Sequence, residues 1–180
     1  MELFNNFIFH CNVDNSVINK YADKLPMELI SVWKEHGFGS LLNGYLKFVN
    51  PDDFQNLLNE SYFRGNVSIP IFTTGMGDIV TWEENRYLRL VKFRRGNFRI
   101  ISAGFDFFFS DLMDEGFCDR HLDWEQYLEV IKLQEIPAYD ECFGYVPLLG
   151  LGGTEKVENL QKVRIKEHIQ IITEFMGPIE

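Results

Sequence analysis

Cysteine is scarce. Three residues in 180, Cys11, Cys118 and Cys142, lie far apart, and an odd, scattered set gives no disulfide framework. A reducing compartment suits such a chain, so the cytoplasm is the expected location. Long apolar runs are also missing. "FIFHCNV" and "FDFFFSDL" are short and broken by polar groups, whereas a membrane-spanning helix needs about eighteen apolar residues, so no span is expected. The opening "MELFNNFIFHCNVDNS" has neither a basic n-region nor a small-residue cleavage site, and no secretory signal is expected there. Internal repeats, low-complexity tracts and an obvious flexible linker are absent as well.

What the chain has in quantity is apolar and aromatic surface, 46% and 15% of its residues, enough for a sizeable core without staples. It also has an excess of acid, with a formal net charge of −10. Residues 105–143 carry eleven carboxylates against Arg120 and Lys132, a net of −9, so nearly all the excess sits in one segment. The preceding segment inverts the sign: Arg86, Arg89, Lys92, Arg94, Arg95 and Arg99 occur between residues 86 and 104 with no acid among them. A one-signed field can steer an oppositely charged macromolecule. Alternatively, the two segments partly neutralise each other in the fold and the remaining acids form a solvated face.

Hydrophobic periodicity organises the chain. "DNSVINKYADKLP" reads as a helix with Asp14 as N-cap, and "PMELISVWKEHGFG" as a second, with Pro26 in its first turn and Gly37 as its stop. "GYLKFVN" reads as a short strand, and Asn50-Pro51 starts another helix with acids in its first turn. From residue 69 the period becomes two. "IPIFTT", "DIVTW", "NRYLRLVKF" and "NFRIIS", separated by turn signals, predict an antiparallel meander. Helical spacing returns in "FDFFFSDLMDE", "LDWEQYLEVIKL" and "IKEHIQIITEFMG", the last with Ile165, Ile169, Ile172 and Met176 on one face. The expected class is α+β: a β-meander flanked by helices at both ends, with residues 1–104 and 105–180 as two regions packed as one unit.

The candidate chemistry is thin. "GYVPLLGLGG", residues 144–153, lacks the Lys and Ser/Thr of a phosphate loop and the spacing of a dinucleotide fingerprint, so it reads as a turn after a short strand. "GMGD" at 75–78 reads as a hairpin turn. Cys118 and His121 form half of a zinc site, with Cys142 and the His10-Cys11 pair as the only soft partners; without a second spaced pair no metal is expected. His36 and His168 read as helix-face histidines. No seryl elbow, H-E-x-x-H or nucleophile–base pair appears, so neither a cofactor nor catalysis is expected. Arginines interleaved with Tyr87, Phe93 and Phe98 are what a single-strand binding sheet would offer, but the acidic neighbour would repel a phosphate backbone.

Two motif sets carry a resemblance. The run from Pro26 through Trp33, Gly37-Phe38-Gly39 and Asn50-Pro51 to Gly77-Asp78 and Trp82 resembles the GAD-like domain. Asp140, Glu141, Phe143, Gly144, Pro147, Leu149, Gly152 and Gly153 lie in a stretch similar to the C-terminal domain of type VI secretion immunity proteins. Together the two span about residues 22–176. The resemblance implies a cytoplasmic bacterial protein that neutralises a cognate toxin, commonly a nuclease, and implies a structural role for the glycine run. It transfers no contact residues, so the expected toxin-facing surface rests on charge: Asp111, Asp114, Glu115, Asp119 and Asp123, with the Asp140-Glu141 pair. The alternatives are a nucleic-acid-binding regulator using the 86–99 ribbon, and an enzyme with a pocket near Cys118, His121 or the glycine run.

Overall fold

The computed structural model describes residues 2–180. Its centre is a seven-stranded antiparallel sheet in which every strand pairs with its sequence neighbours: β1 (Ile8–Cys11), β2 (Phe38–Leu41), β3 (Leu46–Phe48), β4 (Ser68–Thr74), β5 (Ile79–Glu83), β6 (Tyr87–Lys92) and β7 (Asn97–Ala103). The four-strand meander expected from residue 69 is its second half. β1 and β2 were not expected. Asn5, Asn6 and His10 break the apolar pattern of the first, and the Gly37-Phe38-Gly39 helix stop leads directly into the second. Gly37 adopts φ +76° and donates its N–H to the Trp33 carbonyl, closing the helix as read.

Among the described residues, seven α-helices cover the sheet. α1 (Asn15–Tyr21), α2 (Met27–His36), α4 (Phe108–Asp111), α5 (Glu115–Leu122) and α6 (Trp124–Val130) share one core with Phe72, Val80, Leu88 and Leu90. α3 (Pro51–Ser61) and α7 (Ile165–Met176) share a second with Ile79 and Val91. Successive strand residues point to opposite faces, so Ile79 and Val80 serve different cores and β5 is buried along its whole length. Asn50 caps α3 by accepting from Asp52 N at 3.1 Å, with Pro51 at the first helical position. Pro26 lies just outside α2, at its N-cap position.

The acidic segment departs most from expectation. The helix expected over residues 105–115 is a single turn, α4, and a new helix starts where the Asp114 carboxylate caps Gly116 N at 2.9 Å. The next boundary falls at Asp123, held at φ +51° between α5 and α6. Beyond α6, β8 (Glu141–Tyr145) and β9 (Leu160–Arg164) form a separate hairpin, joined to the main sheet by Phe143 N donating to Gly75 O at 2.7 Å. On α7 the buried stripe is Ile165, His168, Ile169 and Ile172; Met176 lies outside it.

Candidate interaction surface

The basic ribbon is largely paired. Arg94 is buried between two carboxylates, donating Nη1 to Asp78 and Nη2 to Asp123, with a further bond to Met76 O at 3.1 Å. Lys92 donates to the same Asp123 oxygen at 2.8 Å, and Arg95 lies 3.8 Å from it. Arg89 meets the fully buried Glu83 at 2.9 Å, as does Arg64, while Ser68 and Thr81 donate to the other Glu83 oxygen. Arg99 donates to the Arg120 carbonyl. Of the interleaved rings, Phe93 is buried, and Phe98 packs against Tyr62 and Phe63. Arg89, Lys92, Arg94 and Phe93 are thereby unavailable as a phosphate track, which removes most of the support for single-strand binding.

The same knot corrects one expected surface residue. Asp123 is only 18% exposed and faces inward onto three cations. Burial would raise its pKa, but Arg94, Lys92 and Arg95 hold it below the ordinary carboxylate range. Its left-handed backbone aims it there, since the α5–α6 break turns the side chain onto β6 and the following turn. Asp78, wholly buried, is pushed upward by desolvation, with Arg94 and Lys92 opposing.

Of the other expected surface acids, Asp111 closes α4, Asp114 caps α5, and Glu115 and Asp119 lie within α5. Glu115 and Asp119 are four residues apart on the outer face of α5, whose inner face buries Phe117, Cys118 and Leu122. Two large apolar side chains of the same stretch of chain are exposed: Phe107 to 73% and Met113 to 49%. Sequence reading missed both because an apolar residue in a helical pattern is assigned to the core. Exposed apolar groups rimmed by charge are the anatomy of a protein-binding patch. Asp140 and Glu141 belong elsewhere, at the base of the β8–β9 hairpin. Asp140 pairs with Arg164, and Glu141 accepts from Ala138 N at 3.0 Å. The Glu141 carbonyl accepts from Lys47, a buried lysine that also reaches Ala138 O at 2.7 Å and whose pKa burial lowers to about 8.

Cys118 and His121 do not assemble a metal site. The Cys118 thiol is buried, donates to Leu112 O and is pushed up to about 12 by burial, while His121 packs on Phe117. No group of three or more potential metal ligands occurs among the described residues. No helix among them is long and apolar enough to cross a membrane.

Fold and surface define an α+β protein with helices on both faces of an antiparallel meander and an acidic outer face in its C-terminal region. Residues 1–93 match the GAD-like domain, and residues 102–176 match the family described as T6SS immunity protein Tdi1, C-terminal. The chain belongs to the GAD-like family, fused to the C-terminal domain of type VI secretion immunity proteins. The crystal structure of Atu4351 from Agrobacterium tumefaciens has a similar fold, with a TM-score of 0.71 at 16% identity over 95% of this chain and 86% of that one. No curated protein matches the chain.

Proposed function

We propose that this immunity protein neutralises its cognate toxin by direct contact and without turnover, that the toxin is a nuclease, and that the contact is made by the α4–α5 face. The match of residues 102–176 to the Tdi1 immunity domain carries the reading. The surface chemistry supports it. A nuclease binds a polyanion, so its cleft is basic, and an acidic patch is drawn to such a cleft. Phe107 and Met113 supply the desolvated centre that gives slow release, and Asp111, Asp114, Glu115 and Asp119 supply the charged rim.

The test is affinity capture from the source cells with this chain as bait, followed by a nuclease assay of the captured protein with and without added chain. A single partner with nuclease activity that the chain abolishes is the expected result. Capture of a toxin with another activity would keep immunity and overturn the nuclease assignment.

A further inference from the structure

A cavity of about 460 Å³ opens between the Phe93–Asn97 turn, the Tyr145–Gly150 stretch and the inner side of α7. Its size falls within the roughly 300–1,000 Å³ usual for small-molecule sites. Tyr145 and Leu148–Gly150 of the glycine run form one wall, and the missing side chain of Gly150 shapes it: a Cβ there would lie 2.3 Å from the Met176 thioether.

The lining is mainly apolar, and its polar side chains are Arg94, Arg95, Asn97, Tyr145, Glu155 and His168, with Glu155 the one carboxylate among them. Arg94 is buried in the wall with its Nε–H unpartnered, and the His168 imidazole lines the cavity beside it. Both Arg94 amino groups are already engaged by Asp78 and Asp123. At the lip, Arg95 holds the Glu155 carboxylate fork to fork, Nη1 to Oε1 at 3.1 Å and Nη2 to Oε2 at 3.4 Å. Glu155 is 42% exposed and lies outside regular secondary structure between Gly153 and the Val157–Asn159 turn, so displacing it breaks one screened pair and disturbs no element. A cationic ligand would meet Arg94 and Arg95, and the one lining carboxylate, Glu155, is already held by Arg95. A neutral apolar ligand would leave the recognition fork at the mouth unused.

We propose that this cavity binds an apolar carboxylate, with the hydrocarbon or aromatic body against Met176, Ile172 and Leu149 and the carboxylate on Arg95 in the place now taken by Glu155. Two sources present that chemistry: a free medium-chain acid, and the C-terminus of a polypeptide ending in an apolar residue. The site is separate from the α4–α5 face and does not depend on the nuclease reading.

Titration calorimetry on the full chain tests it, with octanoate, octanamide, and a short peptide ending in leucine as free acid and as C-terminal amide. One ligand per chain is expected, with the acid at least about tenfold tighter than its amide because the charge-assisted fork is lost in the amide. Arg95→Gln should erase that preference. Glu155→Gln should instead tighten acid binding severalfold by removing the internal competitor, an opposite sign that general loss of structure cannot produce. Binding of octanoate alone supports the site and identifies a free acid; binding of the peptide acid alone supports it and identifies a chain terminus; binding of both supports the shared chemistry. Equal binding of acid and amide, no binding of any probe, or no gain in Glu155→Gln overturns the proposal.

Discussion

At the scale of single residues, the chain's most consequential groups are buried ionisable ones. Asp123 satisfies Arg94 and Lys92 at once, so Asp123→Asn leaves buried Lys92 without its carboxylate and Arg94 with Asp78 alone, and is expected to cost about 3 kcal/mol, read as a lower urea midpoint. His168 makes a separate claim on pH. Burial, reinforced by nearby Arg94, lowers its pKa to about 4 from an ordinary 6.5. As pH falls the unfolded chain therefore takes up this proton first. The stability it confers is complete above pH 6.5 and drains away towards pH 4, by on the order of 3 kcal/mol. Unfolding measured across that window should show the decline, and His168→Gln should flatten it. The Asp123 contribution, from a depressed carboxylate, persists to lower pH and is lost only as pH falls through its folded value, below the ordinary 3.8.

At the scale of elements, the α4–α5 stretch and the β8–β9 hairpin make distinct predictions. Reversing Asp111, Glu115 and Asp119 to Lys should slow association with the captured toxin by about tenfold at low salt and flatten its salt dependence, while leaving the fold intact. Asp114 is spared in that variant because its carboxylate caps α5. An unchanged association rate by stopped flow would move the toxin contact off this face. In the hairpin, Gly144 sits against the His168 ring, so Gly144→Ala forces a displacement in a packed core. A loss of about 1–3 kcal/mol is expected in thermal or denaturant unfolding.

At the scale of the whole molecule, each of the two cores draws on both residues 2–104 and residues 105–180. Tyr45 lies edge-on to Trp124 and Tyr127, the Tyr45 hydroxyl donates to the Leu122 carbonyl, and Tyr127 donates back to Asn43 O at 2.7 Å. Lys47 reaches across to Ala138 and Glu141 as well. We propose that the two regions unfold together. Trp33 and Trp82 report on the first region and Trp124 on the second, so single-tryptophan variants should give coincident urea transitions. Resolved midpoints would mean two cooperative units.

Much of this architecture is legible in the order of residues. The period-two pattern from residue 69, the Asn50-Pro51 helix start, the Gly37 stop and the isoleucines of α7 act through local backbone preference and amphipathic spacing, which the sequence displays directly. So does the concentration of acid in residues 105–143. What tertiary structure alone decided is which charges meet. Asp123 and Asp119 are alike as letters, four positions apart; one is turned by a left-handed backbone into a guanidinium knot, and the other is left on the outer face of α5. Their difference lies in contacts to residues 92–95, some thirty positions upstream, and periodicity carries no information about such long-range pairs. For the same reason Phe107 is legible as apolar but not as exposed, and the glycine run as a turn but not as a cavity wall.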